Sequence, residues 1–173
     1  MKNIFTIIAL TVLFSMNAQD FWFQGTGYNA IQTTNATASG SYSTAMGVGT
    51  RAIGNFGSTA MGENTTASGT SSTAMGISTT ASGELSTAMG GYTTASGYNS
   101  TAMGRQTSAS GVYSIAMGYG SEASGNYSTA MGRSTEASGG SSTAMGYGSE
   151  ASGSRSTAMG RSTTASDYGS LVI

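Results

Sequence analysis

Ser72-Thr73-Ala74-Met75-Gly76-Ile77-Ser78-Thr79-Thr80-Ala81-Ser82-Gly83-Glu84-Leu85 is followed at once by Ser86-Thr87-Ala88-Met89-Gly90, and the same fourteen-residue unit starts again. Each unit is two similar sevens, one closed by Ala-Met-Gly and the other, in most units, by Ala-Ser-Gly. The nine Ala-Met-Gly triplets begin at Ala45, Ala60, Ala74, Ala88, Ala102, Ala116, Ala130, Ala144 and Ala158. A strict short period marks an array of stacked rungs in which each unit rests on the next. Seven residues per half leave no room for a helix, and proline is absent. The spacing therefore predicts an all-β solenoid of about nine two-stranded turns, 14 residues per turn. Ser-Thr-Ala-Met forms one strand, Thr-Thr-Ala-Ser forms the other, and glycine stands at the corners.

Side chains alternate across a strand, so Ser and Ala of the first strand share one face and Thr and Met the other. Charge decides which face is inside. Arg51, Glu122, Glu136 and Glu150 all stand just before a second-strand Ala. Burying that face would place unpaired charge in a narrow core, at about several kcal/mol each. Charge points out and Ala points in. By the shared Ala-x-Gly pattern the first strand does the same, which gives an interior of nineteen alanines spaced at sevens beside Ser and Thr hydroxyls. Met46, Met61, Met75, Met89, Met103, Met117, Met131, Met145 and Met159 then point outward in single file. At about 4.8 Å per rung the file runs roughly 40 Å. A continuous apolar stripe of that length marks an interface.

Lys2 followed by an apolar run from Ile4 to Phe14 reads as a secretory signal, with cleavage after Ala18. Residues 1–18 are thus a signal peptide, 19–35 an N-terminal cap, 36–166 the roll and 167–173 a C-terminal tail. The run is too short to span a bilayer, so no membrane span is expected in the mature chain. Without Lys2, 5 basic residues face 7 acidic ones. The basic residues are single and scattered, which argues against nucleic acid as a partner. No His and no Cys are present, so transition-metal ligands and disulfide staples are missing. No metal and no cofactor is expected. Serines without a His base leave nucleophilic catalysis nothing to run on. The chain is not expected to be an enzyme.

Ser-Thr-Ala-Met-Gly alternating with Thr-Thr-Ala-Ser-Gly resembles the head repeat of trimeric autotransporter adhesins, the YadA-like head. The resemblance covers roughly residues 36–166. It implies a left-handed parallel β-roll with three chains packed around a common axis. In that family the pentad is typically Ser-Val-Ala-Ile-Gly, whose two apolar residues line the axis. The matching positions here are Thr and Met, for example Thr73 and Met75, with Ile115 in place of Thr once. The nine methionines are therefore the candidate trimer interface. The resemblance also implies an exported protein, secreted or at the cell surface, that binds extracellular matrix or other cell-surface material. Full-length relatives carry a neck, a coiled-coil stalk and a membrane anchor. This chain is expected to be either a head secreted by itself or a fragment of a longer protein.

Several smaller features remain. Tyr119 and Tyr147 follow a first-strand Gly, where Arg105, Arg133 and Arg161 stand in alternate repeats. These five residues are expected at the corners of the roll, partly exposed. They are candidate ligand contacts for protein or glycan, since Tyr and Arg are enriched at energetic contacts. Corner packing explains them as well. Tyr42, Tyr113 and Tyr127 stand just before the first-strand Ser. One residue is inserted around Gly54-Asn55-Phe56-Gly57, where eight replaces seven, and should bulge at a corner. Gly118 to Ala123 fits a dinucleotide-binding pattern, but so do Gly47 to Ala52 and Gly146 to Ala151, in phase with the repeat. They are by-products of periodicity, with no helix to cradle a phosphate. Two other functions compete with adhesion. Thr66, Thr80, Thr94 and Thr164 share a row suited to ice, although Glu122, Glu136 and Glu150 interrupt it. A passive spacer of a larger surface protein is the remaining account.

Overall fold

Small residues at every interior position leave a coil almost no side-chain volume to enclose, so two sheets can close on each other through methyls and hydroxyls. A computed structural model describes residues 23–33 and 35–173, and every regular element among them is a strand. The expected signal segment and Phe21-Trp22 lie outside the described residues. The architecture is the expected parallel β-solenoid with fourteen residues per turn, and its ten-stranded second sheet counts roughly ten turns.

Each turn supplies a five-residue strand, such as Thr101–Arg105, and a two-residue strand, such as Ser108–Ala109. The longer strands stack parallel with identical residues in register: Thr87 on Thr101, Ala88 on Ala102, Met89 on Met103, Gly90 on Gly104. They form a twelve-stranded sheet and the short strands form a ten-stranded one. At one end Phe23–Gln24 runs antiparallel to Ile31–Gln32, which lies parallel on Thr44–Ala45. That hairpin covers the first open rung, where bare strand edges would otherwise recruit other chains. At the other end Leu171–Val172 pairs with Thr157–Ala158. The stretch expected as a tail therefore begins another rung.

The interior is as the facing argument requires. All nineteen alanines from Ala38 to Ala165 are at most 1% exposed. Ser43, Ser58, Ser72 and their repeats, with Thr50, Thr65, Thr79, Thr93, Thr107 and Thr135, are buried beside them. Many of these hydroxyls have no partner, including Thr65, Thr79, Thr93 and Thr107. Where Ser replaces Thr the smaller side chain finds one: Ser121 Oγ donates to the Gly132 carbonyl at 3.1 Å and Ser149 Oγ to that of Gly160 at 3.0 Å.

Two local expectations need correction. The first strand does not end at the Gly of Ala-Met-Gly. That residue lies inside the strand, as Gly104 does within Thr101–Arg105, and the chain turns two residues later. The turning residue has positive φ and is mostly not glycine: Asn64 (53°), Ser78 (53°), Tyr92 (58°) and Gln106 (57°). A left-handed backbone costs an L-residue about 1–2 kcal/mol. A rung-to-rung hydrogen bond offsets it, as when Gln106 N–H donates to the Gly91 carbonyl at 2.9 Å. The second strand is also shorter than expected, two residues where four are read from sequence.

The glycine has a different cause. Gly104 has φ of +117°, and a Cβ built on it would lie 2.1 Å from the Gly118 carbonyl oxygen of the next rung. Rungs can approach this closely only because no side chain stands between them. The insertion at Gly54–Gly57 does bulge at a corner. Gly57 N–H donates to the Ser41 carbonyl at 2.8 Å, Ser41 and Phe56 form an isolated parallel bridge, and Thr59 resumes register with both Thr44 and Thr73.

Candidate functional site

Two sheets of stacked rungs give the described residues long surfaces, and the rung register decides what each displays. On the twelve-stranded sheet, Met89, Met103 and Met117 stand directly above one another, and the same column runs from Met46 to Met159. These side chains point outward, away from the alanines. Met46 to Met145 are half-buried within the single chain, each flanked in register by the methionines of neighbouring rungs, and Met159 on the last full rung is exposed. Covering this face therefore yields less than the roughly 1.5–3 kcal/mol of a fully exposed Met at each rung. Beside the column runs Thr44, Thr59, Thr73 and their repeats, with exposed Ile115 as the single apolar replacement.

The ten-stranded sheet shows a different face. Arg51, Thr66, Thr80, Thr94, Ser108, Glu122, Glu136, Glu150 and Thr164 occupy one register column. The three glutamates stack directly on one another. Like charges directly opposed across strands destabilise the pair, an effect that exposure to salt and water screens. The Thr row that would suit ice is broken by those carboxylates. Among the described residues no group of three or more His, Cys, Asp or Glu is placed to hold a metal ion. No helix among them is long and apolar enough to cross a membrane.

The Tyr/Arg candidates are brought together. Arg105, Tyr119, Arg133, Tyr147 and Arg161 are the last residues of successive five-residue strands and stand in register. They lie at the margin of the methionine-bearing sheet, one residue short of the positive-φ corner. The Arg133 guanidinium carbon sits 5.7 Å from the Tyr119 ring centre and 5.5 Å from that of Tyr147, and Arg161 sits 5.5 Å from Tyr147. Such contacts contribute about 0.5–1 kcal/mol each at exposed sites. They line the arginines up along the rod. The earlier members of this column are Val48, Glu63, Ile77 and Gly91.

A second aromatic column occupies the opposite margin, where the strands begin. Tyr28 packs edge-on to Tyr42 at 5.5 Å, and Tyr42 lies 5.0 Å from Phe56. Further along, Tyr98 lies 5.5 Å from Tyr113, which stacks on Tyr127 at 5.3 Å. Sequence reasoning finds Tyr42, Tyr113 and Tyr127 but misses that Tyr98 and Phe56 extend their columns. Their spacing, one turn apart give or take a residue, is the signal that could have found them.

A single rod thus carries one apolar-centred face flanked by two aromatic margins and one hydroxylated, acidic face. It is a parallel β-solenoid with two chemically different faces. The family model described as the YadA head domain repeat (2 copies) matches residues 34–50, 54–79, 81–107, 109–135, 137–163 and 151–173. The chain belongs to this family of YadA-like head repeats. No curated protein matches it.

Proposed function

We propose that this chain is the adhesive head of an exported, surface-displayed homotrimer, three copies packing their methionine faces around one axis. The observation that carries this is the unbroken, in-register file of nine outward methionines on a solenoid of YadA head repeats. A stripe of stacked thioethers roughly 40 Å long needs cover, and a symmetric copy supplies a matching stripe along its whole length. The hydroxylated and acidic sheets then face outward. They would engage extracellular matrix or cell-surface material through many equivalent weak contacts, multiplied by the three-fold symmetry.

Eight of the nine first strands read Ser-Thr-Ala-Met-Gly, so no rung has private chemistry on its central face. Binding should therefore scale with rung number. Sedimentation at micromolar concentration tests the assembly, and a clean monomer overturns it. Binding to immobilised matrix proteins or cells tests the adhesive role, using a variant lacking residues 86–113. That deletion removes two whole turns and keeps register, so binding should weaken gradually. Complete loss with the trimer intact would place binding at a local site. A trimer that binds nothing would be a spacer.

A further inference from the structure

Nine nearly identical rungs make the methionine face a poor ruler. Sliding one copy past its neighbours by a single rung places every Met against another Met and forfeits contact only at the ends. Register is weakly specified wherever a surface repeats itself. Side chains that differ from rung to rung must fix the alignment, and on the covered sheet these stand at its two margins. Arg105, Tyr119 and Arg133 stand on one; on the other stand the corner residues Tyr113 and Tyr127, with the Tyr98 ring beside that of Tyr113 although Tyr98 is one residue before the corner at Asn99.

Symmetry decides what these margins meet. When copies turn the same face to a shared axis parallel to the rods, the margin where strands end in one copy abuts the margin where strands begin in the next. This is a head-to-tail interface that closes as a ring. Each turn climbs about 4.8 Å, and a strand-ending residue lies between two successive strand-beginning corners along that climb. At equal height it faces the gap between two corner residues of the neighbour.

Resting on the trimer reading above, we propose that a seam of Tyr and Arg at the middle of the rod sets the axial register of the assembly. Arg105 of one copy enters between the Tyr98 and Tyr113 positions of the next, and Tyr119 enters between the Tyr113 and Tyr127 positions. Arg133 packs beside the Tyr127 position. The partner is a second copy of this chain, and the complementarity is cation against aromatic face.

The residues are prepared for this. Tyr98, Tyr113, Tyr119 and Tyr127 are 39%, 43%, 44% and 63% exposed in the single chain. Tyr113 and Tyr127 are held at positive-φ corners, and Arg133 is already oriented by two tyrosine rings. The same fit recurs near the start of the rod, where Val48 would enter between the Tyr42 and Phe56 positions. Displacing one copy by a rung slips its two interfaces in opposite directions: at one, Tyr119 would lie between Tyr127 and Ser141, and at the other, Arg105 would lie between Leu85 and Tyr98.

The test uses the absence of cysteine from the chain. Tyr113→Cys and Tyr119→Cys are introduced together and treated with a short bis-maleimide. Within one copy Tyr113 lies two residues before the strand Ile115–Tyr119 that ends at Tyr119, so six residues separate the two positions by roughly 20 Å and a short linker reports contact between copies. Sedimentation of the untreated variant comes first and reads the trimer by itself; a monomer there defeats the assembly reading separately. In a sample that sediments as a trimer, covalent trimer on a denaturing gel is the expected result. Ser71→Cys with Tyr119→Cys, three rungs out of step, should give little. Equal linking of the two pairs overturns the register claim. No linking of either pair, with both cysteines freely alkylated in the trimer, overturns the seam and leaves the Tyr/Arg column open to an outside ligand.

Discussion

Gly104→Ala tests whether rung contact, and not interior volume, holds the rod together. Gly104 has φ of +117°, and its added Cβ would stand 2.1 Å from the Gly118 carbonyl oxygen and 3.0 Å from its amide nitrogen. Both neighbours are main-chain atoms, so no side chain can swing aside. The conformation alone costs an L-residue about 1–3 kcal/mol. Relieving the collision moves Thr101–Arg105 away from Ile115–Tyr119 and weakens two or three ladder hydrogen bonds, each contributing about 1 kcal/mol net. The total is about 4 kcal/mol, a large share of the roughly 5–15 kcal/mol that holds a typical domain. In a one-dimensional array the damage stays at one interface, so the two halves should melt separately. Gly91→Ala is the control. Its Cβ would meet only Arg105 Cγ at 4.0 Å, and φ is not positive there, so it should stabilise by about 0.4–1 kcal/mol. Thermal melts followed by far-ultraviolet circular dichroism compare the two. A Gly104→Ala protein that melts with the wild type refutes the close-approach account.

Met117→Glu should abolish assembly in sedimentation while leaving the circular dichroism spectrum of the rod unchanged, since three charges would meet near one axis without counterions. Thr93→Val replaces a fully buried hydroxyl that has no partner, and chemical denaturation should show a gain of about 1 kcal/mol. Ala130→Leu forces three carbons into a site with no exposed surface. It should lose about 1–3 kcal/mol or more in the same assay.

Much of this was legible because the sequence repeats its own evidence. Glu122, Glu136 and Glu150 at one phase of the period excluded that face from the interior, and every alanine and methionine followed from it. Corners were harder to read. Local preference puts glycine at the turn, but Gly104 is glycine because a carbonyl from the next rung occupies the space of its side chain, which is a contact fourteen residues away in sequence. Glycine does turn the chain at Gly49, Gly57, Gly120 and Gly148, but most corners carry Ser, Asn, Gln, Tyr, Leu or Arg. Their left-handed backbone is held by hydrogen bonds to the previous rung, and only the asparagines, such as Asn64 and Asn99, carry a local preference for it. The stacking of Arg133 between Tyr119 and Tyr147 was likewise hidden until register placed residues fourteen apart side by side.

The ladder hydrogen bonds run along the rod, which determines how a single chain responds to force. Pulled end to end, a chain loads these bonds in series, so rungs detach in succession from an end instead of shearing together. Each released turn of fourteen residues exchanges about 4.8 Å of rise for roughly 45–50 Å of extended chain, a gain of about 40 Å per step. Because the turns are nearly identical, so are the steps. A rod of this kind yields under tension by lengthening in equal increments, and the load it transmits stays limited while the turns unwind.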